Sequence, residues 1–148
     1  MMLLSHLFKR YFRALLAREP SNTDCVDVGR ILGTDLFSLW KTMPKHDQAH
    51  SIVVWRRYLD LRPGASKSEE IAVLLHDIGK IKSGLGIHAR VFATVLGPRT
   101  KRWRLYAEHE SIGAAMLETL KVDPIIVEIV RGNGLPAVQD TLRKADDI

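Results

Sequence analysis

The stretch Leu74–Lys80, "LLHDIGK", closes an apolar run with two adjacent ionisable residues, His76 and Asp77. The hydrophobic pattern points this segment into a core, where an unpartnered charge is expensive to bury. Any fold that accepts the pair must therefore bring partners to it from other segments. Successive residues of a helix project about 100° apart, so His76 and Asp77 converge on one cation only where a helix ends. Gly79 is read as the residue that allows the chain to turn there.

The remaining pattern is helical almost throughout. "MMLLSHLFKRYFRALLARE" repeats Leu3, Leu4, Leu7, Phe8, Tyr11, Phe12, Leu15 and Leu16 at helical spacing, with Lys9, Arg10 and Arg13 on the other side. "EPSNTD" (19–24) breaks this helix, and "GTDLFSLWKTMP" predicts a short helix capped near Thr34 or Asp35. A helix follows Pro44 and runs to about Leu61, and Ser66 or Ser68 caps the helix that leads into His76. "IHARVFATVLG" and "PRTKRWRLYAEHESIGAAMLETL" predict further helices, and Asp123 with Pro124 starts another. "RGNGLP" is a tight turn, and "AVQDTLRKADDI" forms a last helix. Strand alternation and glycine-rich phosphate loops are absent from the pattern. The expectation is an all-α bundle of about six to seven helices, with residues 1–34 as an amphipathic helix and linker and 35–148 as the main helical domain, the one that carries His76 and Asp77.

Net charge is +5 and aromatics make up 7% of residues, which suits anionic ligands but not base-stacking platforms. The cluster Arg99, Lys101, Arg102 and Arg104 around Trp103 can grip nucleic acid. It reads more simply as a solvated helix face, and nucleic acid is not the expected partner. The single cysteine, Cys25, forms no internal disulfide, and the start lacks a secretory apolar run, so a cytoplasmic location is expected. No apolar run approaches the roughly 20 residues that cross a bilayer. The first helix presents an apolar stripe suited to packing on the domain or to a homodimer contact.

A metal takes four to six donors, and His76 with Asp77 supplies two. His50 leads the apolar stretch "SIVVW" of the preceding helix, and Asp146 follows Leu142 on the apolar side of the last helix; both are expected to face inward. Asp147 is the neighbouring, solvent-facing alternative. His46 and His50 have zinc-site spacing, but Asp47 is not the glutamate of a helical protease motif, and His46 is expected to be exposed.

The order of His50 in "AHS", His76 and Asp77 in "LLHDIGK" and Asp146 in "ADD" resembles the HD-domain superfamily of metal-dependent phosphohydrolases, from about Leu36 onward. "LWKTMPKHDQAHS", "LLHDIGKIKSGLG" and "EHESIGAAML" resemble a small stand-alone bacterial branch of it. The resemblance implies that His50, His76, Asp77 and Asp146 hold one divalent ion of manganese, iron, cobalt, magnesium or zinc. It implies that Asp77 also orients a water, and that Lys80 holds a substrate phosphate, with Lys82 and Arg90 as weaker candidates. The implied reaction is hydrolysis of a phosphate ester, the substrate being a small phosphorylated metabolite and most simply a nucleotide. The alternative is a non-catalytic regulatory or nucleotide-binding protein of the same fold. His109 fits the H-x-x-x-G element of two-metal members and is a candidate acid or base, or a further ligand, with a partly buried structural histidine as the equal alternative. His88 is a weaker candidate for the same region and reads more simply as a surface residue at a helix start. Asn133 and Gly134 stand where two-metal members carry paired histidines, which argues against a full second metal site and against cyclic-dinucleotide hydrolysis.

Overall fold

Ser21 accepts a hydrogen bond from the Asp24 N–H at 3.1 Å, and Asp24 accepts one from the Ser21 N–H at 2.9 Å. This reciprocal cap starts helix α1, Asn22–Trp40, whose part after the kink at Gly33 is the short helix expected from Thr34 or Asp35 and whose part before it the pattern did not predict. The turn formers of "EPSNTD" are cap formers as well, and here they act as caps. Gly33 breaks α1 with φ 73°, a value that favours glycine.

The computed structural model describes residues 18–83 and 108–148, together with Lys9. The expected first helix with its dimer stripe, His88, Arg90 and the Arg99–Arg104 cluster lie outside the described residues. After α1 come α2 (Lys45–Leu61), α3 (Lys67–Leu75), a 3₁₀ helix (Ile78–Ser83), α4 (His109–Thr119), α5 (Pro124–Arg131) and α6 (Pro136–Asp146). Among the described residues all regular structure is helical, and no helix is long and apolar enough to cross a membrane. The all-α expectation holds.

The boundaries follow local chemistry. Ser66 caps α3 through the Glu69 N–H, and Asp123 caps α5 through the Ile125 N–H with Pro124 in the first turn. Gly132 closes α5 in the left-handed region, φ 90°, and the Asn133 N–H returns to the Glu128 carbonyl at 2.8 Å. The core contains Val28 and Leu32 of α1 with Val54 and Tyr58 of α2, Leu74 and Leu75 of α3, Leu117 of α4 and Val130 of α5.

Helices α2 and α3 run antiparallel and are tied by polar cross-links. Trp55 Nε1 donates to Glu70 Oε2 at 2.9 Å, and the Tyr58 hydroxyl donates to Glu69 Oε2 at 2.7 Å. Arg62 Nε also donates to that oxygen, at 2.7 Å. Burial pushes the Glu69 carboxyl up, but the bonds from Arg62 and Tyr58 outweigh it and leave the pKa below its ordinary value. A carboxyl depressed in the folded state adds stability above its unfolded pKa, about 4.3, and that increment is lost as pH falls through the folded value. Glu69→Gln is thus expected to cost about 2 kcal/mol at pH 7. In denaturant titrations the gap to wild type should shrink at acid pH; a gap independent of pH would contradict the assignment.

Three further side chains tie the ends of α2 and α6. Gln48 Nε2 donates to the Lys41 and Met43 carbonyls at 3.1 and 2.7 Å, and Trp40 Nε1 donates to Ser51 Oγ at 2.9 Å. Arg57 Nη2 donates to the carbonyls of Lys144 and Asp147 at 3.1 and 3.4 Å, which holds the end of α6 against α2.

Candidate metal centre

Helix α3 stops at Leu75, and His76 and Asp77 form the turn before the 3₁₀ helix. The Val73 carbonyl accepts from the His76 N–H at 3.5 Å, and the Lys80 N–H returns to the Asp77 carbonyl at 3.0 Å. These tight i to i+3 bonds replace the α pattern and let both side chains face one space. Gly79 contributes differently from expectation, since it is not among the glycines of positive φ. A Cβ there would lie 1.8 Å from the His109 carbonyl oxygen and 2.6 Å from the Gly113 nitrogen. Glycine is required for close approach: it lets the 3₁₀ helix lie directly on α4, which places His109 beside Asp77.

His50 from α2 and Asp146 from α6 meet the pair. His50 Nε2 lies 2.8 Å from Asp146 Oδ1 and 4.0 Å from Asp77 Oδ2. His76 Nε2 lies 3.6 Å from both Asp77 Oδ1 and Asp146 Oδ1. Donor atoms of His50, His76 and Asp77 all lie within 4.8 Å of one another, a grouping that can hold a metal ion. His109 Nε2 stands 3.3 Å from Asp77 Oδ1, and Lys80 Nζ stands 2.5 Å from Asp77 Oδ2. His50, His76, Asp77, Lys80, His109 and Asp146 are therefore brought together. Lys82 is exposed on the 3₁₀ helix, and Asp147 is exposed beyond α6, as expected. His46 is half-buried rather than exposed, with Nε2 3.3 Å from Asp47 Oδ1, because the start of α2 packs under the turn after α1.

The donor chemistry fits a divalent cation. His76 Nδ1 lies 2.7 Å from the Val73 carbonyl and can only donate to it, so Nε2 is the nitrogen presented to the cluster. That Nε2 is buried and has no hydrogen-bond partner among the described residues. An imidazole oriented by a backbone carbonyl, its other nitrogen facing carboxylates, is the arrangement of a metal ligand. The Val73 carbonyl left no trace in side-chain pattern, so the sequence could not have named it.

The electrostatics agree. Burial disfavours a charged His76, but the carboxylates of Asp77 and Asp146 outweigh it and raise its pKa to about 9. Burial opposes ionisation of Asp77 too, yet His76, Lys80, His109 and His50 hold it well below the usual carboxylate range. Asp146 is likewise held down by His50 and His76 against burial. The cluster thus has a strong demand for positive charge, met by protons or by a metal competing for the same lone pairs.

Comparison with protein-family models matches residues 48–146, more than half of the chain, to the HD domain. Searches of curated proteins and of solved structures gave no match. Every residue that the structure gathers around Asp77 falls inside the matched span. The chain belongs to the HD-domain superfamily of metal-dependent phosphohydrolases.

Proposed function

We propose that the protein is a metal-dependent phosphohydrolase that cleaves a phosphate ester of a small metabolite, a nucleotide being the simplest candidate. The observation that carries the reading is His76 Nε2, buried, without a hydrogen-bond partner among the described residues and 3.6 Å from two carboxylates, with the His50 imidazole beside it. In this reading His50, His76, Asp77 and Asp146 hold one divalent ion. When bound, such an ion lowers the pKa of water and offsets charge on phosphoryl oxygens. Nitrogen and carboxylate donors favour manganese, iron, cobalt or zinc over calcium.

The other groups act around that set. Asp77 offers one carboxylate oxygen to His76 and His109 and the other to Lys80 and, at longer range, His50, which fixes its orientation. Its second task is to orient the attacking water. His109, 3.3 Å from Asp77 Oδ1, is the candidate to hold or pass a proton during attack on phosphorus. Lys80 supplies a point positive charge for the phosphoryl group.

The test is phosphate release from a panel of nucleotides and other phosphate esters by protein loaded with manganese, iron or zinc. Metal-dependent release of inorganic phosphate is expected with at least one ester class. Tight nucleotide binding with no product from any ester would replace the enzyme with a binding protein.

A further inference from the structure

Lys80 is 9% exposed, yet its ammonium does not point into open space. It lies 2.5 Å from Asp77 Oδ2, while the Lys80 N–H bonds the Asp77 carbonyl at 3.0 Å. Three-residue periodicity eclipses residues i and i+3, so the local backbone stacks Lys80 over Asp77. Asp77 is itself only 3% exposed and belongs to the group of donors that can hold a metal. The carboxylate oxygen that faces Lys80 is also the one nearer His50 Nε2, at 4.0 Å. An ammonium and a divalent ion on one buried carboxylate repel each other strongly at such separations. A buried carboxylate with neither is left to His76, His109 and His50 for its compensation, which is unfavourable too.

We propose that Lys80 is the resident cation of this centre: its ammonium holds Asp77 until a divalent ion replaces it, and displacement turns Lys80 toward a substrate phosphate. Metal loading and readiness for an anionic substrate are then one coupled event. The inference rests on the metal-centre reading above and adds its regulation. The lysine stem suits the task, since it carries a compact charge on four flexible carbons. Displacement needs only rotation of that stem, with the backbone bond between Lys80 and Asp77 kept.

The test compares full-length wild type with Lys80→Met and Lys80→Gln. Zinc and manganese affinities are measured by competition with a chromogenic chelator, and thermal unfolding is followed without metal. Both variants are expected to bind the metal roughly tenfold or more tightly, because the competing charge is gone. Both should unfold at lower temperature than wild type when metal-free. Inorganic phosphate binding to the metal-loaded protein should weaken by roughly fivefold or more in both, as the displaced ammonium is missing. Equal or weaker metal affinity in the folded variants overturns the competition, and unchanged phosphate affinity overturns the capture step. A wild type that binds no metal overturns this inference together with the proposed function. A wild type that binds metal while the variants bind no tighter overturns the inference alone.

Discussion

Purified without chelator or added metal, the wild-type protein is expected to carry about one equivalent of a divalent transition metal, and His76→Ala to carry none. His76 is the donor with the most complete preparation. Its ring is fixed through Nδ1 by the Val73 carbonyl, and its Nε2 has no hydrogen-bond partner among the described residues. Loss of an outer partner to a ligand commonly costs 10- to 100-fold in metal affinity, so loss of the ligand itself should exceed roughly 100-fold. Elemental analysis measures the effect directly, and circular dichroism confirms that the variant keeps its helices. Absence of metal from wild type, even after reconstitution with manganese, iron and zinc, would leave the His76–Asp77 pair a structural feature. Metal retained in His76→Ala would move the site elsewhere.

The second large effect is expected at a residue that touches no ligand. In Gly79→Ala the new Cβ meets the His109 carbonyl oxygen at 1.8 Å and the Gly113 nitrogen at 2.6 Å. Both are backbone atoms, so no side-chain rotation relieves the clash and the 3₁₀ helix must separate from α4. A loss of about 3 kcal/mol or more is expected, at the upper end of overpacking effects and a large share of a small domain's stability. His109 should move away from Asp77 with α4. Gly113→Ala is the graded comparison, because its Cβ meets its nearest atoms at 3.1 to 3.3 Å, where a small shift suffices. About 1 kcal/mol is expected there. Denaturant midpoints that rank the two variants equally would refute the close-approach account.

These residues also mark how far the sequence could be read. Pro44, Ser66, Asp123 and Pro124 each have a local, one-sided meaning, and the helices begin where they predict. Ser21 and Asp24 are ambiguous in sequence, because the same residue types build turns and caps; only the reciprocal bonds decide. The donors were legible because burying His and Asp in an apolar run demands partners, and few inward-facing polar residues were available to answer. The role of Gly79 was not legible. Freedom to turn and freedom to be approached both select glycine, and the second depends on α4, distant in sequence. Nor could spacing show that Lys80 is held by Asp77, since that follows from the switch to 3₁₀ geometry after Leu75.

The cross-links between α2 and α3 bear on which changes in chain length the protein can tolerate. His50 opposite His76, Trp55 opposite Glu70 and Tyr58 opposite Glu69 are successive pairings of one antiparallel register. One residue inserted between His50 and Trp55, or between Glu70 and His76, would turn its histidine by about 100° and shift it by about 1.5 Å. The imidazoles would then no longer meet, although every donor would still be encoded. An insertion in the connection Arg62–Ala65 leaves all three pairings intact. The two helices therefore work as a ruler: the number of residues between pairings, as much as the residues themselves, specifies the centre.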